Sequence, residues 1–167
     1  GYGTPANSFL APAIWGYDKN QKAREFDLSA ARKELSESST PNGFTTELEV
    51  VGGDQTQEAT AQIIQADLKK IGITANIVQK DDDSAGNDRV KGNYDLAFTY
   101  STTDITDPEE LVNFVGSTSG GAINAMHTWF DDPQIDEWAK EAAASTDPDT
   151  RLKLYSQIQT RHNEAQP

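Results

Sequence analysis

Residues 44–78 read FTTELEVVGGDQTQEATAQIIQADLKKIGITANIV, and the changes of hydrophobic period along them decide the fold class. From Phe44 to Val51 the side chains Phe44, Thr46, Leu48 and Val50 alternate with polar neighbours, which predicts a strand with one buried face. Gly52-Gly53-Asp54 closes that strand. Over residues 55–71 the period lengthens. Ala61, Ile64, Leu68 and Ile71 share one helical stripe, Lys69 and Lys70 occupy the last turn, and Gly72 follows where a helix ends left-handed. Ile73 to Val78 predicts a second strand. Strand, helix and strand in this order bury their apolar faces when the helix crosses over the sheet.

Toward the C-terminus, Asp81 to Lys91 predicts a short polar helix. YDLAFTY (Tyr94 to Tyr100) predicts a third strand, dense in large residues and therefore placed at the centre of the sheet. Asp107-Pro108-Glu109-Glu110 is a helix start with a cap, an N1 proline and an acidic first turn. A GSTSGG loop (116–121) precedes two further helices, Pro133 to Ala144 and Asp147 to about Ala165, the latter with Leu152, Tyr155 and Ile158 on one face. Toward the N-terminus, Asp27 caps a helix carrying Ala30, Ala31 and Leu35, stopped by Ser38, Ser39 and Pro41. In residues 1–26, Gly1, Gly3, Pro5, Pro12 and Gly16 interrupt regular structure, while Phe9, Leu10, Ile14, Trp15 and Tyr17 require burial. That combination predicts an irregular segment packed on a single α/β lobe spanning residues 1–167.

The chain has 167 residues, 35% of them hydrophobic, with 3 Trp, 5 Tyr and 6 Phe, enough to build a core without staples. Its 14 basic and 27 acidic residues leave a net charge of −13, which repels phosphate backbones and anionic lipid, so no nucleic-acid partner is expected. With no cysteine, disulfides, thiolate metal sites and thiol catalysis are excluded. The chain begins at Gly1 without a charged or apolar leader and reads as an internal piece of a longer protein.

Signals for chemistry are weak. Asp81-Asp82-Asp83-Ser84-Ala85-Gly86 offers Ala85 where a calcium loop needs an oxygen ligand, and reads instead as a solvated helix start. His127 and His162 lie in different elements with no paired spacing, so no metal is expected. There is no GxSxG and no phosphate loop, and no cofactor is expected. Paired carboxylates could run a hydrolase, but no local pattern marks an acid with a raised pKa. Asp104 stands apart. It follows the carboxyl end of the third strand, where open α/β sheets bind ligands, and the helix start already has its cap in Asp107. A spare carboxylate beside Tyr100, Thr102 and Thr103 could receive a cationic group; the alternative is an Asx turn bonding its own backbone.

QIIQADLKKIGITANI (62–77), VKGNYDLAFTY (90–100), TDITDPEEL (103–111) and FDDPQIDEWAKEAAASTDPDTRLKLYSQIQ (130–159) resemble extracellular solute-binding proteins of family 5, the peptide/nickel class of receptors that feed ABC importers. GYGTPANSFLAP and AREFDLSAARKEL, with the PNGFTTELEV strand, add to the resemblance, which runs over essentially the whole chain. It implies a sheet with crossover helices on its faces, as one lobe, on the C-terminal side, of a periplasmic-binding-protein type II-like fold. Because family members continue beyond such a lobe, it also implies an excised piece. The family aspartate that pairs with a ligand's α-amino group matches Asp104, and main-chain groups at Tyr100 and Thr102 would add to a bound peptide as a strand.

The implied ligand-binding residues are Asp104, Tyr100, Ser101, Thr102 and Thr103. Tyr100-Ser101 stands where peptide-binding relatives often carry Gly-Trp, which leaves nickel chelates and oligosaccharides open as ligands. The implied function is capture of oligopeptides or dipeptides, without enzymatic activity, for an ABC permease of the inner membrane. The protein is expected to be a monomer, periplasmic or extracellular, anchored as a lipoprotein at full length. The alternatives are a carboxylate-dependent hydrolase and a lobe for a non-peptide solute.

Overall fold

The computed structural model describes residues 6–22, 24–100, 102–118 and 127–166. The sequence reading treats residues 1–167 as one lobe. The chain forms two compact units, Glu25–Tyr100 and Gly1–Arg24 with Ser101–Pro167, each described by itself. Gly1–Pro5 of the opening segment and Ser119, Gly120 and Gly121 of the GSTSGG loop lie outside the described residues.

The unit of residues 25–100 is built on a three-stranded parallel sheet. Its strands are β1 (Thr45–Val51), β2 (Thr74–Lys80) and β3 (Leu96–Ala97), in the order β2-β1-β3. Helix α1 (Leu28–Glu37) precedes the sheet, α2 (Gln55–Lys69) connects β1 to β2, and α3 (Asp82–Lys91) connects β2 to β3. Helix α2 packs on β1 and β2, and α3 packs on β1. The alternation read in residues 44–51 buries Leu48 and Val50, which meet Ala61, Ile64, Ile77 and Phe98 in the core of this unit. Gly43 is required where it stands. Its φ is +92°, and a Cβ there would lie 2.0 Å from the carbonyl oxygen of Gly72.

One expectation is corrected. YDLAFTY is not the central strand; β1 is central, and β3 is a two-residue edge strand. The ladder between β1 and β3 opens only at Leu48 opposite Leu96. Before that point the Asp95 carboxylate accepts the Glu47 N–H and the Thr46 hydroxyl, both at 3.0 Å, so a side chain occupies the donor that a longer ladder would use. Size alone does not mark burial here: Phe98 packs on the core, but Leu96 and Tyr100 are exposed.

The other unit is helical among its described residues. It holds α4 (Pro108–Leu111), which runs on into a π-helical turn (Val112–Gly116), then α5 (Pro133–Ala144) and α6 (Pro148–Ala165). Val112, Ile135, Ala139, Ala142, Leu154, Tyr155 and Ile158 form its main core, against which Phe9, Phe130 and Trp138 pack. Leu10 and Ile14 of the opening segment are buried against Leu111, as their apolar character requires. That segment is held by polar contacts as well. Gln159, fully buried on α6, donates to the Gly16 carbonyl and accepts from the Asp18 N–H.

Each of α1–α6 starts at an aspartate whose carboxylate accepts first-turn N–H groups: Asp27, Asp54, Asp81, Asp107, Asp132 and Asp147. Proline follows the cap in α4, α5 and α6, as its fixed φ favours. Part of the acidity is therefore a capping device.

Candidate functional site

The stretch before α4 is shaped by one carboxylate. Glu110, on the first turn of α4, reaches back so that its Oε2 accepts the Thr103 hydroxyl at 2.7 Å and the Asp104 and Ile105 N–H groups at 3.0 Å each. Its Oε1 shares the Asp104 N–H at 3.2 Å. The Thr103 hydroxyl also meets the Ile105 carbonyl. The Thr103 hydroxyl first, then the Ile105 and Asp104 amides, hold the Glu110 carboxyl below its ordinary pKa.

The same turn leaves Asp104 unused. Its residue is exposed, and among the described residues its carboxylate has neither a hydrogen bond nor a salt bridge. The Asx turn allowed by the sequence is not made there. Asp107, three positions on, is fully committed. Its Oδ1 caps α4 through the Glu109 N–H at 3.0 Å, and both its oxygens accept from Arg151 Nη2 at 2.8 and 2.9 Å. The same nitrogen donates to the Tyr155 hydroxyl, and the guanidinium lies over the Trp15 ring, 5.1 Å from its centroid. Trp15, Thr106, Asp107, Thr146, Pro148 and Arg151 line a shallow recess of about 270 Å³.

The five sequence-derived residues divide as follows. Thr103 and Asp104 are brought together by Glu110, and Thr102 is exposed beside them. Ser101 lies outside the described residues. Tyr100 belongs to the unit of residues 25–100, where it is 66% exposed and its hydroxyl donates to Asp54 Oδ2 at 3.3 Å. Asp54 thus has two tasks, since its Oδ1 caps α2 through the Thr56 and Gln57 N–H groups. Glu110 and Asp54 are the residues that sequence reasoning missed. The spacing Asp107-x-x-Glu110 is that of a capping box and could have flagged Glu110, although here the glutamate reaches past the cap residue.

The other chemistry-bearing candidates are structural. Asp81 caps α3 by accepting the Ser84 N–H, which fits the reading of DDDSAG as a helix start. No group of three His, Asp or Glu side chains converges as a cation site among the described residues. His162 lies against Phe9 and Phe130, and burial pushes its pKa down. The carboxyls of Asp18, Asp81, Asp88, Glu110, Asp132 and Asp147 are held below the ordinary carboxylate range by the hydrogen bonds they accept.

Residues 1–122 match the family model described as bacterial extracellular solute-binding proteins, family 5 middle. Heme-binding protein A of Haemophilus influenzae is 29% identical over 171 residues, covering 99% of this chain and 31% of that protein. The probable D,D-dipeptide-binding periplasmic protein DdpA of Escherichia coli K12 is 26% identical over 161 residues, covering 95% of this chain and 31% of that protein. Among solved structures, the ABC transporter-associated periplasmic binding protein DppA of Helicobacter pylori, in complex with the peptide STSA, superposes with a TM-score of 0.85. It is 27% identical, and the match covers 94% of this chain and 31% of that one. The chain therefore spans about a third of the length of these relatives.

Proposed function

The chain belongs to the bacterial extracellular solute-binding proteins of family 5, and from that premise we propose that it is part of an ABC importer's substrate-binding component. In this reading the full-length receptor captures oligopeptides or dipeptides outside the cell membrane and delivers them to a permease of the inner membrane, without chemistry of its own. It works as a monomer, periplasmic or extracellular, held to the membrane as a lipoprotein.

The observation that carries the reading is the state of Asp104. Its carboxylate is exposed and unpartnered among the described residues, while the main chain beneath it is fixed by Glu110. Such a group suits a cation that arrives with the ligand, and a peptide's α-amino group is one. The ammonium pairs with Asp104, and exclusion of water on closure of the receptor strengthens the pair. In this reading a bound peptide adds to the segment as a strand near Thr102, with Thr103 holding the turn through Glu110. The peptide STSA bound to the Helicobacter pylori relative supports this ligand class. The name of the Haemophilus influenzae relative makes haem, a non-peptide ligand, the competitor.

Native mass spectrometry of the full-length receptor purified from its host tests the reading. Copurifying peptides with free amino termini are expected. A nickel chelate, an oligosaccharide or a haem in their place would refute it.

A further inference from the structure

We propose that Glu110 is the positioning residue of the amine site: it fixes the main chain that carries Asp104 and withdraws two amides from the ligand. The proposal rests on the peptide reading above for the identity of the ligand, but its geometry stands alone. Oε2 of Glu110 takes three donors from three consecutive residues, Thr103, Asp104 and Ile105. A three-residue turn tied at a single oxygen has little freedom left, so the Asp104 side chain projects from a fixed base. Positioning of this kind removes an ordering cost that the ligand would otherwise bear.

The second consequence concerns what the ligand can pair with. The Asp104 and Ile105 N–H groups already donate to Glu110, so neither is available to a peptide adding to this segment. Asp104 is then left to bind the terminal ammonium alone. Released amides would behave differently. They would offer donors to a carbonyl, and an N-acetyl group supplies a carbonyl where a free peptide has its charge. Glu110 thus enforces the preference for a free amine twice, by holding Asp104 still and by removing donors that a blocked terminus could use. Sites that spend their polar groups internally discriminate by leaving the wrong ligand unpaired.

The test has two readouts. In this chain, amide hydrogen exchange should show the Asp104 and Ile105 amides protected, and Glu110→Ala should lower that protection about tenfold or more. In the full-length receptor, calorimetry with trialanine and N-acetyl-trialanine should show the free-amine preference falling by about tenfold in Glu110→Ala. Glu110→Gln, which keeps an oxygen in the Oε2 position, should restore most of both effects and guards against a fold lost through truncation. Amides that exchange freely in the wild type would overturn the clamp. Amides released in Glu110→Ala with the preference unchanged would overturn the positioning role while leaving the peptide reading intact. A wild-type receptor that binds neither tripeptide would sink the peptide reading and this role with it.

Discussion

In the unit of residues 25–100, the Lys80 ammonium pairs with the carboxylates of Glu49 and Asp88, the latter at 2.7 Å. In the other unit, the Glu110 carboxylate on the first turn of α4 is spent on donors of the preceding turn, while the Asp104 carboxylate on that turn is left open to solvent. The first arrangement neutralises charge internally. Glu49 sits on the central strand with its side chain 2% exposed, and Lys80 is what makes that burial tolerable. The hydrogen bonds that Lys80 donates to Asp88 first and to Glu49 next push its pKa up, and the Lys80 hydrogen bond chiefly pulls that of Asp88 down. The second arrangement keeps a formal charge without a partner. Carboxylates of one chemistry thus do opposite work, and what separates them is whether the fold supplies the counter-charge.

The two units also rest on different cores, and this orders the stability experiments. The helical unit buries Tyr155, Ile135 and Ile158 together, whereas the sheet unit relies on a smaller set around Leu48 and Val50. Ile158→Ala should cost about 2–5 kcal/mol, read by denaturant unfolding, because Ile158 is fully buried among packed neighbours. An effect below about 1 kcal/mol would mean that the site collapses around the truncation. Lys80→Ala should lower the melting temperature through the sheet unit, since Glu49 would stay buried without its cation. Hydrogen exchange should report the loss in β1, β2 and α3, and loss confined to α5 and α6 would contradict it.

Asp107→Ala should cost about 1–2 kcal/mol through the lost cap and the lost Arg151 partner, while the free-amine preference of the receptor stays as it was. If that preference vanished, Asp107 and Asp104 would not divide their labour as described.

The smallest effect separates the units by pH. Burial holds the His162 pKa below the ordinary histidine value, so folding favours its neutral form. The unfolded chain therefore takes up a proton at His162 before the folded chain does, and stability falls as pH drops from about 6.5 toward the lowered value. Asp88 and Glu110 have lowered carboxyl values, so their contributions are complete above the ordinary carboxylate range and are lost only as pH falls below it. The helical unit should accordingly begin to lose protection at milder acidity than the sheet unit. His162→Leu should remove that early loss, measured as melting temperature between pH 7 and pH 5. An unchanged profile in the variant would assign the loss elsewhere.

The strand, helix and strand of residues 44–80 were legible because the hydrophobic period changes with each element, although Glu49 is buried and Phe44 exposed against the alternation. The aspartate caps were legible for the same local reason. The failure at Tyr94 to Tyr100 has a physical cause. Large residues report a tendency toward burial, but strand length at a sheet edge depends on which donors are free, and Asp95 takes the Glu47 N–H. In the site, Asp104 could be singled out because the helix start has a cap without it. Glu110 could not be read directly, because its partners are a hydroxyl and two main-chain amides five to seven residues away. Asp54 and Tyr100 are 46 positions apart, and only the folded sheet unit brings them into contact.

The central claim is that Asp104 is kept open for a ligand's amino group. Its most direct measurement is calorimetry of trialanine and N-acetyl-trialanine against the full-length receptor, wild type and Asp104→Ala. The variant should weaken trialanine by about a hundredfold and leave N-acetyl-trialanine nearly unaffected. Equal losses for the two peptides would contradict it.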